Sequence, residues 1–560
     1  MVSREDMITP ISLCVLSTLI HVTSSELFTS MDYIYSAIRD ANQISLRLDD
    51  YIANEENRLA ELKQYAEKLT QLQNDLLKDD DGWAGNPVSV YKFTKVYTDE
   101  WDETFAAYKQ NSHQEALDEI LKLKKTYMPG QEDMNGVTDG LARLIGTYKI
   151  SASEIANGTI KGIHTGELTA HDCNSIAQDF HTREFTQLAL DWYDVAIEKI
   201  QKEVSEMVPT SCQNETCLDW TENYVKMSIT NIKISRDLAV ELLQKQMRNF
   251  TIDLQALLEE QEDDKELQES MEAEIMAMHN DGSIQFYGKE LIRNVHTKRS
   301  YEKLCRGAVE SRVKDPSLVC SYVNNDNHPL LLIQPAKIEY LSWSPYIVIY
   351  HDIMSDSETT TLQNLTFNYL ERSQGIPANP TSDDEGLEMD SRISRYYYVD
   401  DDNPMVKRLN TRIQAITTLK PVYPSAEVLQ VGNYGMGGQY EPHYDWFGKQ
   451  QVQILTEHKA NRLATMLFYL SDVRAGGATV FPLIDVHIPV RKGAAAFWLN
   501  LDNDLEGVET TLHAGCPVLI GSKWIANKWI HTHNQNTQCF KSDSKEANIT
   551  SKSTATTSVD

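Results

Sequence analysis

The pattern His443-Tyr444-Asp445, with His513 far downstream, is the part of this sequence best suited to chemistry. Residues two apart on a strand point to the same face, so His443 and Asp445 can reach one ion while a third ligand comes from another strand. Two imidazoles and one carboxylate fill one face of an octahedron. The three positions left open suit Fe(II), which can take a chelating cosubstrate and then O2. An HxD triplet alone carries little weight, but this one sits among β-type segments, and Lys523 follows His513 by ten positions. The run VLIGSKWIANKWI reads as a hairpin turning at Gly521-Ser522, whose alternation puts Lys523, Ile525, Asn527 and Trp529 on one face. If that face is the inner one, Lys523 offers a buried cation to a dicarboxylate, because a lysine inside a barrel is costly without an anion. If it is the outer one, Lys523 is an ordinary charge at a hairpin end.

The elements that must position these residues begin at about Leu330. Short runs (LLIQ, YIVIY, LATMLFYL, AAAFWLN and VLIGSKWIANKWI) punctuated by glycine and proline predict a closed or double-sheet antiparallel structure. Helices near Glu358–Leu370 and Asn403–Leu419 pack outside it. The preceding half reads as helical. Over Ser30–Leu77, Leu59, Leu62, Ala66, Leu69 and Leu76 follow the spacing of a helix seam, which either packs within the chain or dimerises. Gly82–Pro87 interrupts it, and helices follow around Val96–Tyr108 and His113–Tyr127. A second helical region, about Leu168–Leu258, opens at the cap residue Thr169 and reads as stacked helix pairs. Its Phe180, Phe185, Trp192 and Tyr193 either form core or line a groove for an extended peptide. The acidic run Glu259–Glu274 reads as solvated helix or linker, and Ser542–Asp560 as a disordered tail.

With 560 residues there is room for two to four domains. Lys plus Arg number 52 against 82 Asp plus Glu, a formal charge of -30, which argues against nucleic acid as the main partner. Arg4, the apolar run Met7–Val22 and the small residues Thr23, Ser24 and Ser25 have the layout of a signal peptide over residues 1–24. That run contains Pro10 and is shorter than the roughly 20 apolar residues that span a bilayer, so a membrane-spanning chain is not expected. Cys14 would leave with the signal. Cys212/Cys217, Cys305/Cys320 and Cys516/Cys539 would close short loops and are the natural disulfide candidates, leaving Cys173 over. Sequons at Asn157, Asn214, Asn249, Asn364 and Asn548 agree with passage through the endoplasmic reticulum.

The runs NYGMGGQYEPHYDWF, RLATMLFYLSDVRAGGATVFP, KGAAAFWLNL and HAGCPVLIGSKWIANKWIH resemble the catalytic domain of collagen prolyl 4-hydroxylase α subunits. The resemblance extends through YEKLCRG and YIANEENRLAELKQYAEKL, so it covers most of the chain. It implies α-helical N-terminal and middle domains followed by a C-terminal double-stranded β-helix, or jelly roll. The corresponding divisions are a helical dimerisation domain (25–150), a TPR-like peptide-binding domain (160–260), a linker with a disulfide (261–330) and a catalytic domain (331–541) whose oxygenase core is 425–540. His443, Asp445 and His513 become iron ligands, and Lys523 the partner of the far carboxylate of 2-oxoglutarate. Tyr434 and Thr479 become further cosubstrate contacts and Trp529 an active-site aromatic; Trp192 and Tyr193 fall in the domain that takes proline-rich peptide. The disulfides Cys305/Cys320 and Cys516/Cys539 also fit the family pattern.

The implied reaction is hydroxylation of proline in X-Pro-Gly sequences such as procollagen, with ascorbate keeping the iron reduced. The implied assembly is two α and two β subunits, the latter protein disulfide isomerase, in the lumen of the endoplasmic reticulum. The sequence departs from the family after about Ser211 and in SRISRYYYVDD, where Tyr398 stands in place of tryptophan and where Arg392 and Arg395 are expected on a loop closing over peptide. A different secreted proline-containing substrate, or a noncatalytic scaffold role, are the competing readings.

Overall fold

The structure, a computed structural model, describes residues 31–54, 60–77, 85–101, 121–125, 128–211, 225–246, 295–308, 316–375, 387–388, 391–449, 451–452, 458 and 460–535. The signal segment, Leu59, Cys212, Cys217, the acidic run, Cys539 and the C-terminal tail lie outside them. So do the sequons at Asn214, Asn249 and Asn548 and most of the stretches expected to be helical over 102–127.

In α1 (Met31–Asn54), Ile34, Ala37, Ile38, Ala41, Ile44 and Leu48 recur at three-four spacing and are all buried. They share one core with Ala66 and Leu69 of α2 (Ala60–Leu77), and a Ser45–Thr70 hydroxyl pair at 2.9 Å crosses the contact. This part of the expected seam is thus used within the chain. α3 (Pro87–Lys95) starts earlier than Val96 because Asn86 caps it, accepting from Val88 and Ser89 amides, and Pro87 fixes its first turn. α4 spans Gln131–Tyr148. α5 (Ala170–Thr182) opens at Thr169 in a reciprocal capping box with Asp172, and α6 (Thr186–Ser211) packs along it. A buried ion pair, Lys95 Nζ to Asp172 at 3.1 Å, ties α3 to α5. Residues 225–246 are also helical, and α7 is Val295–Cys305. Asp356–Thr366 (α8) and Pro404–Thr417 (α9) follow close to their expected limits.

Fifteen of the described strands of the C-terminal half build the sheets around the site, and a further short pair, Gln374–Gly375 with Leu387–Glu388, forms a sheet of its own. In chain order the fifteen are β1 (Cys320–Val323), β2 (Ala336–Trp343), β3 (Tyr346–His351), β4 (Glu371–Arg372), β5 (Arg395–Val399), β6 (Leu429–Tyr434), β7 (Tyr440–His443) and β8 (Arg462–Tyr469). After them come β9 (Ala475–Gly476), β10 (Thr479–Phe481), β11 (Val486–Ile488), β12 (Ala495–Leu499), β13 (His513–Gly515), β14 (Val518–Ile520) and β15 (Lys523–His531). The large sheet runs β1-β2-β3-β12-β8-β15-β6-β5-β4, a smaller one β7-β13-β10-β11, and β9 pairs with β14. All pairings are antiparallel.

Alternation divides the large sheet into two faces. Tyr434, Leu467, Tyr469, Trp498 and Ile525 form an inner core with Phe481, Val486 and Ile488 of the small sheet. Leu429, Val431, Met466, Phe468, Trp524, Ala526 and Ile530 point outward beneath Leu362 of α8 and Val406, Leu409 and Ile413 of α9.

Four expectations are corrected. LLIQ is not a strand: Pro329 at a first helical position and a His328 cap start a short helix, Pro329–Ile333. VLIGSKWIANKWI is not a hairpin. Gly521, at φ 113°, takes the chain from β14 in one sheet to β15, which is inserted between β8 and β6 in another. Cys305 pairs with Cys516, not with Cys320, and Cys516 is therefore not free for Cys539. α7 packs on β10 and β11, which brings its last residue to the end of β13, while β1 carries Cys320 to the far edge of the large sheet. Arg392 and Arg395 do not sit on an open loop: Arg395 begins β5, and Arg392 is buried and bridged to Tyr440.

Candidate active site

The small sheet brings the candidate ligand residues together. His443, the last residue of β7, lies directly across the ladder from His513, the first of β13. Asp445 is in the bend just after β7, so the turn rather than strand alternation aims its carboxylate. His443 Nε2 is 3.9 Å from Asp445 Oδ1, and His513 Nε2 is 3.7 Å from Asp445 Oδ2. One ligand atom from each residue lies within 4.8 Å of the others. The remaining ring nitrogens are held by backbone carbonyls, His443 Nδ1 by Glu441 at 2.7 Å and His513 Nδ1 by Thr511 at 3.0 Å. This leaves both Nε2 atoms able to ligate a metal. Burial pulls His443 down to about 3, aided by His513, so its imidazole is neutral, as ligation requires. Asp445 is buried, which alone would raise its pKa, yet His513, His443 and Arg462 and the Thr465 hydroxyl hold it below the usual carboxylate value. Two imidazoles and a carboxylate on one side of a buried point fit Fe(II).

Lys523 opens β15 opposite Tyr434 and points inward, 3 % exposed. Its ammonium lies 5.4 Å from the Tyr434 ring centroid, and no carboxylate among the described residues is paired with it. Burial pulls its pKa down to about 7. Gly515 and Gly477 leave space beside it: Cβ atoms there would stand 3.6 Å from its Nζ and 3.5 Å from its Cδ. Thr479 is buried and accepts a 2.9 Å hydrogen bond from Tyr469.

His443 and Asp445 also line a cleft of about 420 Å³. Tyr396, Tyr398, Tyr440, Tyr444, Trp446 and Trp529 give it aromatic walls, and Arg392 and Arg462 are its cations. The Tyr440 ring stacks on His443 with centroids 3.4 Å apart.

Residues 30–162 match the family described as prolyl 4-hydroxylase alpha-subunit, N-terminal region, and residues 429–531 match the 2OG-Fe(II) oxygenase superfamily. The chain is 32 % identical to prolyl 4-hydroxylase subunit alpha-1 of Bos taurus over 521 residues, which is 91 % of this chain and 94 % of that one. It is 33 % identical to subunit alpha-2 of Gallus gallus, over 92 % and 94 % of the two chains. It belongs to the prolyl 4-hydroxylase α-subunit family. A solved viral collagen prolyl hydroxylase from Paramecium Bursaria Chlorella virus-1, in complex with 2OG, covers 33 % of this chain and 95 % of its own at 25 % identity, with a TM-score of 0.26.

As a prolyl 4-hydroxylase α subunit, the chain is a dioxygenase using Fe(II) and 2-oxoglutarate, with ascorbate typical of the family, and it acts on a peptide alongside a partner subunit. No described helix is long and apolar enough to cross a membrane.

Trp529 lines the cleft, its ring 4.0 Å from the Arg462 guanidinium. Arg392 lines it too, donating to Gln430 at 2.8 Å and lying 5.0 Å from the Tyr440 ring centroid. Tyr434 is buried with its hydroxyl engaged by Arg392. Trp192 and Tyr193 are elsewhere: both are buried within the α5–α6 layer, with Tyr193 3.4 Å from His181 Nδ1, which makes them core rather than an open groove wall.

Sequence reasoning missed the residues that hold the ligands. Thr465 donates to Asp445 Oδ2 at 2.6 Å and accepts from Asn500 at 2.9 Å. Arg462 pairs with Glu427 in a two-pronged contact, one prong 2.9 Å, and His531 Nε2 lies 2.9 Å from the same carboxylate. Burial opposes the Glu427 charge, but Arg462 and His531 prevail and hold it at about 2. The signal for Thr465 was present, since inward alternation of RLATMLFY places a hydroxyl beside Leu467 and Tyr469.

Proposed function

We propose that this α subunit hydroxylates C4 of proline in X-Pro-Gly sequences of procollagen, with 2-oxoglutarate and O2 converted to succinate and CO2. Support comes from a two-histidine, one-carboxylate cluster, a buried ammonium that pairs with no carboxylate among the described residues, and an aromatic cleft lined by two of the cluster's residues. His443, Asp445 and His513 would hold the iron, which when bound supplies O2 activation. Lys523 binds the far carboxylate of 2-oxoglutarate, with Thr479 and Tyr434 beside it. The apolar inner core keeps water from that end. The cleft's tyrosines and Trp529 seat the proline ring and its neighbours, since flat aromatic faces suit the polyproline II shape.

The two facing sheets fit a double-stranded β-helix, and α5, α6 and the helix 225–246 fit a TPR-like peptide-binding domain at 160–260. Residues 25–150 would dimerise, protein disulfide isomerase would be the partner subunit in a tetramer of two α and two β, and a signal peptide at 1–24 would direct the chain to the lumen of the endoplasmic reticulum. The disulfide and the exposed sequons at Asn157 and Asn364 are in keeping with that compartment.

Incubating the purified complex with iron, ascorbate, 2-oxoglutarate and Pro-Pro-Gly repeats, beside a panel of other secreted proline-containing peptides, tests the substrate. Succinate and 4-hydroxyproline should form with the repeats. Turnover confined to another peptide would reject procollagen, and no turnover with any peptide would reject catalysis.

A further inference from the structure

The outer face of the small sheet, which carries two of the three ligand residues, is covered by the N-terminal half of the chain. Val480 and Ala514 of that sheet, with Leu519 and Ile520 of the adjoining β14, share one apolar core with Val137, Leu141 and Leu144 of α4 and Tyr301 and Leu304 of α7. The large sheet, by contrast, is covered on its outer face by α8 and α9 of the catalytic half.

Polar contacts follow the same route into the ligand strands. Arg143 of α4 donates to the Gly437 carbonyl at 3.2 Å, and Tyr148 to that of Pro517. The backbones touch there: a Cβ on Gly437, at φ 70°, would lie 2.9 Å from Gly140 Cα. From α7, Tyr301 Oη donates to Gln439 at 3.2 Å, Gln439 donates to Glu441 at 3.3 Å, and Lys298 Nζ is 3.8 Å from the same carboxylate. The Glu441 carbonyl is the group that orients His443. Cys305 is bonded to Cys516, three positions beyond His513, and Arg306 donates to the Thr147 carbonyl at 2.8 Å, fastening α7 to α4.

We propose that α4 and α7 are positioning elements of the iron site, with Arg143 and Tyr301 as positioning residues that act on His443 through the segment 437–441. The N-terminal half thereby completes the small sheet that the catalytic half leaves uncovered, and the tightness of metal binding depends on it. The inference rests on the assignment of His443, Asp445 and His513 as the metal ligands.

The test uses the full chain with its partner subunit, comparing the parent with Tyr301→Phe, Arg143→Met and Arg143→Lys. Co(II) titration read by visible absorption gives both affinity and ligand geometry, and the KM values for Fe(II) and peptide are measured separately. Loss of a group that orients a ligating histidine costs on the order of 10-fold to 100-fold in metal affinity. About a 10-fold weaker Co(II) affinity is expected for Tyr301→Phe and Arg143→Met, with altered absorption bands, a matching rise in the KM for Fe(II), an unchanged KM for peptide, and recovery in Arg143→Lys. Parent-like affinity and bands in both variants would overturn the proposal. Should Arg143→Met fail to fold, Tyr301→Phe decides alone, because it keeps the buried ring. A parent that takes up no Co(II) overturns the ligand assignment itself, and this inference with it.

Discussion

Thr465 Oγ1 stands 2.6 Å from Asp445 Oδ2, so the one carboxylate of the ligand set is held by a hydroxyl from the large sheet, while the two histidines come from the small one. A metal held by these three groups would therefore be placed only when the two sheets face each other correctly.

Thr465→Val keeps the shape of the side chain and removes that hydrogen bond. Iron affinity should fall about 10-fold to 100-fold, the range for lost outer-shell partners, with little change in 2-oxoglutarate affinity at saturating iron. Metal titration of the variant measures it, and parent-like affinity would show that the turn alone fixes Asp445.

Lys523→Ala should raise the KM for 2-oxoglutarate far more than that for iron. Truncating one side of a buried charge pair costs about 2–5 kcal/mol, or roughly 30-fold or more. Equal loss of both affinities would remove Lys523 from its assigned role.

The same lysine sets a pH dependence. Burial lowers its pKa to about 7 in the free protein, and a bound dicarboxylate would raise it again. Affinity for 2-oxoglutarate should be full below about pH 7 and weaken as pH rises through that value, by up to about 10-fold per pH unit until the pKa of the bound form is reached. KM for 2-oxoglutarate measured from pH 6 to 9 reports it. Lys523→Arg should flatten the profile, and a slope unchanged in that variant would place the titration elsewhere.

Glu427, held at about 2 mainly by Arg462 against the cost of burial, favours the folded state while ionised. Its folded pKa lies below its unfolded one, so this contribution is complete above the ordinary glutamate range and is lost as pH falls towards 2. From the depression it is worth about 3 kcal/mol. Urea unfolding should show Glu427→Gln clearly less stable than the parent at pH 7, with the gap narrowing by pH 3. A gap that does not depend on pH would assign the effect to packing.

Cys305 and Cys516 are 211 positions apart, and closing so long a loop stabilises by about 5 kcal/mol in the chain-entropy account. Mass mapping without reduction should find their two peptides joined. Joining of Cys305 to the Cys320 peptide instead would contradict the packing of α7 on the small sheet.

The candidate ligand set was legible from residue types, since two histidines and an aspartate stand out by donor chemistry, and strand alternation put Lys523 on one face with Ile525 without deciding which face was inner. Helix starts at Thr169 and near Asn403 were legible because capping is satisfied within a few residues. Local hydrogen bonding and side-chain period are properties of short segments, which is why sequence determines them. Only the tertiary structure decided that β14 and β15 part into different sheets, that Cys305 meets Cys516, that Trp192 and Tyr193 are core, and that Thr465, Arg462 and Glu427 brace the site. Each of those depends on which surfaces bury each other across tens or hundreds of positions, and many distant pairings satisfy the same local pattern until the whole chain packs.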